Sequence, residues 1–150
     1  AASEVIAMKL IIAGNRHYNA RLARVLVKRA ITASGWLDAI TEIVHGACNV
    51  GPKFLPDAPG IDAAAEYMCS NRWPIKRFPA NWKPGGPMSP TDHSAGPRRN
   101  AEMAAYADAL IVIWPGDVKK SPGSFNMKMN AEKRGLPVFE VIHVGQGMPL

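Results

Sequence analysis

Cysteine is scarce: the 150 residues hold two, Cys48 and Cys69. So few make neither a disulfide framework nor a zinc-binding pattern, and they fit a reducing compartment. No apolar run approaches the ~18–20 residues of a membrane span. The N-terminal stretch lacks the basic start and long apolar core of a signal peptide. These absences lead us to expect a cytoplasmic protein with no membrane partner. Acidic residues are also under-represented: 12 carboxylates face 18 lysines and arginines, for a formal charge of +6. That imbalance favours anionic partners such as nucleotides, nucleic acid or an acidic protein surface. The charge is dispersed, however. Its densest clusters are Arg21/Arg24/Lys28/Arg29, Lys76/Arg77 and Arg98/Arg99. The first reads more readily as the solvated face of a helix than as a nucleic-acid footprint, so nucleic acid is not the favoured partner. With 47% hydrophobic and 20% charged residues, the chain should fold as a single globular domain spanning residues 1–150.

What is present is organised around Met-Lys-Leu-Ile-Ile-Ala-Gly-Asn-Arg at residues 8–16. An almost unbroken apolar, β-prone run reads as a strand covered on both faces, as in parallel sheets. Ala13-Gly14 lets the backbone turn and another group approach closely. Asn15 and Arg16 then offer an amide and a guanidinium at the strand's carboxyl end, where open α/β sheets bind ligands.

The remaining chain alternates. Residues 1–7 read as a lead-in. Residues 19–33 form an amphipathic helix, with Leu22, Val25, Leu26, Arg29 and Ala30 at helical spacing, Asn19 as N-cap and Ser34-Gly35 as the stop. Residues 40–45 are a second strand and 61–71 a helix with Ala64, Ala65 and Met68 facing in. Residues 74–78 are a short third strand. Residues 51–60 and 79–97 are proline- and glycine-rich, without periodicity, and read as irregular insertions. A helix opens at Arg98-Arg99-Asn100 and runs to about residue 107. Residues 108–114 are the second buried-strand signature. Gly123-Ser124 opens a helix through Arg134, and residues 138–144 are the last strand. The end from Gly145 reads as a surface arm. This pattern predicts a Rossmann-like α/β sandwich of about five parallel strands in the order 3-2-1-4-5.

The loops after the strands share a chemistry. Gly14-Asn15-Arg16 follows the first, Gly46-Ala47 the second, Gly60-Ile61-Asp62 opens the next helix, and Ser121-Pro122-Gly123-Ser124 follows the fourth. Backbone amides at a helix N-terminus bind phosphate or carboxylate, and glycine leaves room for that approach. Converging loops of this kind predict a ligand crevice; the plainer alternative is a set of short βα turns. Arg98 or Arg99 is positioned to face a phosphate bidentately, or to be a surface pair. Asp62 suits a ribose hydroxyl or simply a helix first turn. Trp82 can stack on a base, whereas Trp114 reads as core. Glu102 reads as helix surface. His45 and Cys48 have a metal-like spacing but no third ligand, so no metal and no cofactor is expected.

The pieces Ala13-Gly14-Asn15-Arg16, Phe78-Pro79-Ala80-Asn81-Trp82 and Ala95-Gly96-Pro97-Arg98-Arg99-Asn100-Ala101-Glu102-Met103, with residues 43–46, 60–62, 107–116 and 123–127, resemble the YspA-type proteins of the SLOG superfamily. The resemblance spans nearly the whole chain in the family's order. It implies a Rossmann-like sheet and binding of nucleotides or nucleotide-derived ligands. Relatives include the cytokinin-activating phosphoribohydrolases and the DNA-processing protein that loads single-stranded DNA. The family's Gly-Gly-Ala-Arg-Gly-Val-Asp is here split between Gly46-Ala47-Cys48-Asn49 and Gly60-Ile61-Asp62, without the loop arginine. In Ser121-Pro122-Gly123-Ser124-Phe125-Asn126-Met127, Met127 stands where the phosphoribohydrolases carry their catalytic glutamate. Methionine is no acid, base or charge stabiliser.

Three functions follow as expectations. The first is a sensor or sequestering protein for a nucleotide or nucleotide-derived small molecule. The second is a nucleotide-processing hydrolase with a different acid/base set. The third is a structural or assembly protein, for instance of a phage particle, with a homo-oligomeric or assembly partner. The expected ligand set is Gly14, Asn15, Arg16, Gly46, Ala47, Gly60, Asp62, Trp82, Arg98, Arg99, Asn100, Gly123 and Ser124.

Overall fold

The computed structural model describes residues 7–51, 55–117 and 121–143. The expected surface arm from Gly145, the lead-in before Ala7, and parts of two loops lie outside the described residues.

Five strands form one parallel sheet: β1 (Met8–Gly14), β2 (Ile40–His45), β3 (Ile75–Arg77), β4 (Ala109–Pro115) and β5 (Val138–His143). Their order is β3-β2-β1-β4-β5, as the apolar runs predict. β1 is central, with Leu10 opposite Ile43 of β2 and Ala109 of β4. Four helices cover the sheet: α1 (Ala20–Ser34), α2 (Ile61–Cys69), α3 (Ala95–Tyr106) and α4 (Pro122–Lys133). Leu10, Ile12, Ile43, Ile111 and Ile113 pack under α1 and α2 on one face. Ile11, Val44, Leu110 and Val112 pack with Met103 of α3 and Met127 of α4 on the other. Both faces are dry, which is why β1 and β4 carry unbroken apolar runs rather than alternation.

The helix ends follow their sequence signals. Asn19 Oδ1 accepts from Leu22 N at 2.9 Å, and Gly35 closes α1 in the left-handed region with φ +73°. Such an N-cap stabilises by about 1 kcal/mol. The inward stripe of α1 is shifted from expectation. Leu22, Ala23, Leu26, Val27, Ala30 and Ile31 are buried, while Arg29 is exposed and Val25 only partly covered. The row through Ala23, Val27 and Ile31 wins because it carries no charge to desolvate. Met68 of α2 is likewise only partly buried.

Boundaries move by one to three residues. α2 ends at Cys69 rather than Asn71. α3 starts at Ala95, ahead of Arg98, because Pro97 is tolerated in a first turn whose N–H groups need no intrahelical partner. α4 starts at Pro122 for the same reason. The irregular segment before α3 is tied within itself: Asp92 N donates to Trp82 O at 2.7 Å and Lys83 Nζ to Ser89 O at 3.1 Å. No helix among the described residues is long and apolar enough to cross a membrane.

Candidate ligand-binding site

The carboxyl ends of β1, β2 and β4 open onto a cavity of about 660 Å³. All the expected residues except Gly60 and Arg98 line it: Gly14, Asn15, Arg16, Gly46, Ala47, Asp62, Trp82, Arg99, Asn100, Gly123 and Ser124. His17, Cys48, Asn49, Ser121, Asn126 and Met127, outside the expected ligand set, also line it.

Two glycines set its first wall. A Cβ on Gly14 would lie 2.6 Å from Ile61 Cγ1 and 2.9 Å from Ile113 O, so β1 and α2 could not approach as they do. Gly60 sits at φ +99°, and a Cβ there would lie 2.9 Å from the Arg16 backbone. Its N–H donates to Tyr18 O at 2.7 Å, and Ile61 N donates to Asn15 O at 3.1 Å. Gly60 therefore locks the β1–α1 loop onto α2 from behind; it shapes the cavity without lining it.

The second wall is the loop after β2. Ala47 and Asn49 adopt positive φ of 60° and 63°, a region non-glycine residues enter at a cost. Four bonds hold them there. Ala47 N donates to His45 Nδ1 at 3.0 Å, and Cys48 N to Asp62 Oδ2 at 3.0 Å. Arg99 Nη1 donates to Gly46 O at 2.6 Å, and Asn49 Nδ2 to Pro59 O at 2.9 Å. Burial pushes the Asp62 carboxyl up, while His45, the Cys48 and Gly46 amides and Arg99 pull it back. Asp62 is thus committed to loop amides. Cys48 has a thiol raised by burial and by Asp62, against the pull of Arg16 and Arg99, so it is a thiol rather than a thiolate at neutral pH.

His45 is committed to hydrogen bonds. It is fully buried, and both ring nitrogens are engaged. An imidazole accepting at Nδ1 carries its proton on Nε2, which lies 2.9 Å from Glu66 Oε1. Glu66 in turn accepts from Arg77 Nε at 2.7 Å and pairs with Arg77 Nη2. Burial works against the Glu66 carboxylate, but Arg77 and His45 outweigh it and hold the carboxyl below its ordinary value. No cluster of three metal-ligating side chains occurs among the described residues.

The two adjacent arginines separate. Arg98 points away from the cavity into a surface pair with Asp92 and Ser94. It holds the partly exposed Asp92 carboxyl down at about 2, together with Ser94. Helical geometry turns neighbours by about 100°, so only one of the two can face the crevice. Arg99 does, spanning Gly46 O, Phe78 O and Asn100 Oδ1. Arg16 is the less constrained cation: its side chain is exposed and its Nε meets His17 Nε2 at 3.4 Å.

The third wall is the start of α4. Pro122 has no N–H, and Phe125 N donates to Ser121 O at 3.0 Å. The amides of Gly123 and Ser124 precede that bond and belong to the first turn, where helices have no internal acceptor. Asn100 Nδ2 ties this turn to α3 through Gly123 O at 3.3 Å and Asn126 Oδ1 at 3.0 Å. Ser121 is 7% exposed, lines the cavity, and makes no side-chain capping bond. Its Oγ is buried without a hydrogen-bond partner among the described residues. Trp82 lies against Gly96 at the mouth and is 43% exposed. Trp114 is core, with Nε1 donating to Glu140 Oε1 at 2.9 Å, and Glu102 is exposed on α3.

No family model matches this chain, and no curated protein matches it.

Proposed function

We propose that the protein binds a nucleotide or nucleotide-derived small molecule in this crevice, as a sensor or sequestering protein. The observation that carries the reading is the buried, unpartnered hydroxyl of Ser121 at the N-terminus of α4. A buried hydroxyl without a partner costs free energy, about 1–3 kcal/mol. An anion seated on the first-turn amides would accept from it and from Ser124, aided by the helix dipole. Arg16 adds positive charge from the β1 end, and Trp82 offers a ring face at the mouth. The resemblance to SLOG proteins points to the same ligand class. Calorimetric titration with mono-, di- and cyclic nucleotides tests the proposal, and native mass spectrometry of mildly purified protein adds any co-purified ligand. A panel without one binder, and no co-purified ligand, would refute it.

Binding without N-glycosidic hydrolysis is the expected behaviour. Met127 is 1% exposed beneath the cavity. Asp62 is the lone carboxylate among the described lining residues, and it serves the β2 loop. A base-releasing mechanism needs a carboxylic acid or carboxylate at the scissile bond. Incubation with nucleoside monophosphates should release free base at the uncatalysed rate. Release that depends on the protein, and disappears on mutating a lining residue, would show turnover.

A further inference from the structure

The helices α1 and α2 present an outer face that the crevice does not use. Arg21, Lys28 and Arg29 of α1 are exposed, Arg24 is partly so, and Arg72 just beyond α2 is exposed. None of the five forms an ion pair among the described residues. The helices supply no exposed carboxylate to offset them. α1 contains no acidic residue, and the two acids of α2, Asp62 and Glu66, are turned inward to the β2 loop and to His45. Arg24 stacks on the Tyr67 ring, 3.6 Å from its centroid, and its Nε is buried without a hydrogen-bond partner among the described residues. Tyr67 itself is 44% exposed. Beside this row runs a shallow groove along Val25, Lys28 and Thr32.

A solvated helix face normally mixes signs, because interleaved charges limit repulsion and pair at i, i+4. This face does not, so it carries uncompensated repulsion that a polyanion would relieve. The rise of about 1.5 Å per residue sets Arg21, Arg24 and Lys28 roughly 5 Å apart along the axis, a ladder that a regular phosphate repeat can follow. The buried stripe keeps α1 flat on the sheet, with its basic row turned outward. What it offers is backbone contact plus one aromatic face, the combination that suits unpaired bases. We propose that the α1–α2 face binds the sugar-phosphate backbone of single-stranded nucleic acid, independently of sequence and of the small-molecule crevice.

Fluorescence anisotropy with a labelled, mixed-sequence oligonucleotide tests this on the intact chain, with a duplex and polyglutamate as comparison probes. With about four phosphates neutralised, the single-strand salt slope of roughly −0.7 per contact predicts about fiftyfold weaker binding at 200 than at 50 mM salt. The double variant Arg21→Glu/Lys28→Glu should weaken binding at least tenfold, by about 1.4 kcal/mol or more. Its thermal melt should stay unchanged or rise, since neither side chain has a partner to lose among the described residues and the repulsion along the face falls. A milder pair, Arg29→Gln/Arg72→Gln, should weaken it in the same direction. Arg16→Ala, in the crevice, should leave oligonucleotide binding intact. Three results would overturn the proposal: polyglutamate binding as tightly as the oligonucleotide, which would mark an acidic-protein surface; charge reversal without effect; or loss of oligonucleotide binding on Arg16→Ala, which would place the strand in the crevice. A duplex bound more tightly than the single strand would overturn the assignment to unpaired strands.

Discussion

Glu66→Ala is expected to lower the unfolding free energy by about 2–3 kcal/mol, the cost of stranding buried donors of a charge-assisted bond. Glu66 is 7% exposed and accepts from two sides, His45 Nε2 and Arg77. Removing it leaves Arg77, whose side chain is 47% exposed, free to rehydrate. His45 has no such recourse, because it is fully buried and its other nitrogen already serves Ala47. The imidazole would move or take up water, and the positive-φ turn at Ala47 would loosen with it. Glu66→Gln, which keeps an acceptor for His45 but loses the charge facing Arg77, should cost less. The two variants also separate by pH. The Glu66 carboxyl is held below its ordinary 4.5, so the folded state binds its proton later than the unfolded state. The charged pair therefore stabilises fully above the unfolded value, and that contribution fades as pH falls through the folded one. Urea denaturation at neutral and acid pH should show wild type losing its advantage over Glu66→Gln as the solution is acidified. An alanine variant as stable as wild type would mean the chain from Arg77 to Ala47 contributes nothing, and a constant wild-type advantage across pH would mean the Glu66 charge does not.

The sheet was legible because its central strands obey one constraint. β1 and β4 are buried on both faces, and only unbroken apolar runs satisfy that, so their position followed from composition alone. The helix faces were less legible. A basic amphipathic helix offers two nearly equivalent stripes, and the choice between Val25 and Val27 rests on which row meets the sheet. The loops gave the position of the crevice, since every strand's carboxyl end lies on one edge of a parallel sheet. They did not give the role of each residue. Nothing in Gly60-Ile61-Asp62 says that Gly60 braces the Arg16 backbone from behind, or that Asp62 holds loop amides. Nor does Arg98-Arg99 say which arginine turns inward; one register shift of α3 would exchange them. Ser121 was read as part of its loop but left out of the expected ligand set, because attention to Gly123-Ser124 placed the helix start one residue late. Once Pro122 occupies the first helical position, the serine before it is the cap residue, a signal present in the sequence.

On the proposed function, Arg16→Ala and Ser121→Ala should each weaken nucleotide binding, and for different reasons. Arg16 is an exposed guanidinium that meets His17 at long range and bears on the Cys48 thiol, with no ion pair among the described residues, so it gives up little structure when removed. Losing a charge-assisted bond to a phosphate costs about 1.5–3 kcal/mol, or roughly ten- to a hundredfold in Kd. Ser121 Oγ has no partner among the described residues, so its removal breaks no bond seen there. Ser121→Ala should leave the melting temperature unchanged or raise it, while affinity for an anion on the α4 N-terminus falls. Weaker binding without lost stability is what a ligand-facing hydroxyl gives and a capping hydroxyl does not, since deleting a helix cap costs about 1 kcal/mol of stability. Arg98→Ala is the internal control. Its guanidinium faces Asp92 and Ser94 on the outer surface, and exposed pairs of this kind contribute little. Affinity should stay within about twofold of wild type, a change near 0.4 kcal/mol. Calorimetry on the three variants, with melts of the free proteins, decides the matter. If Arg98→Ala weakens binding as much as Arg16→Ala, the ligand lies outside the crevice. If Ser121→Ala destabilises the free protein and leaves affinity alone, the hydroxyl is a cap, and the α4 N-terminus is not where the phosphate sits.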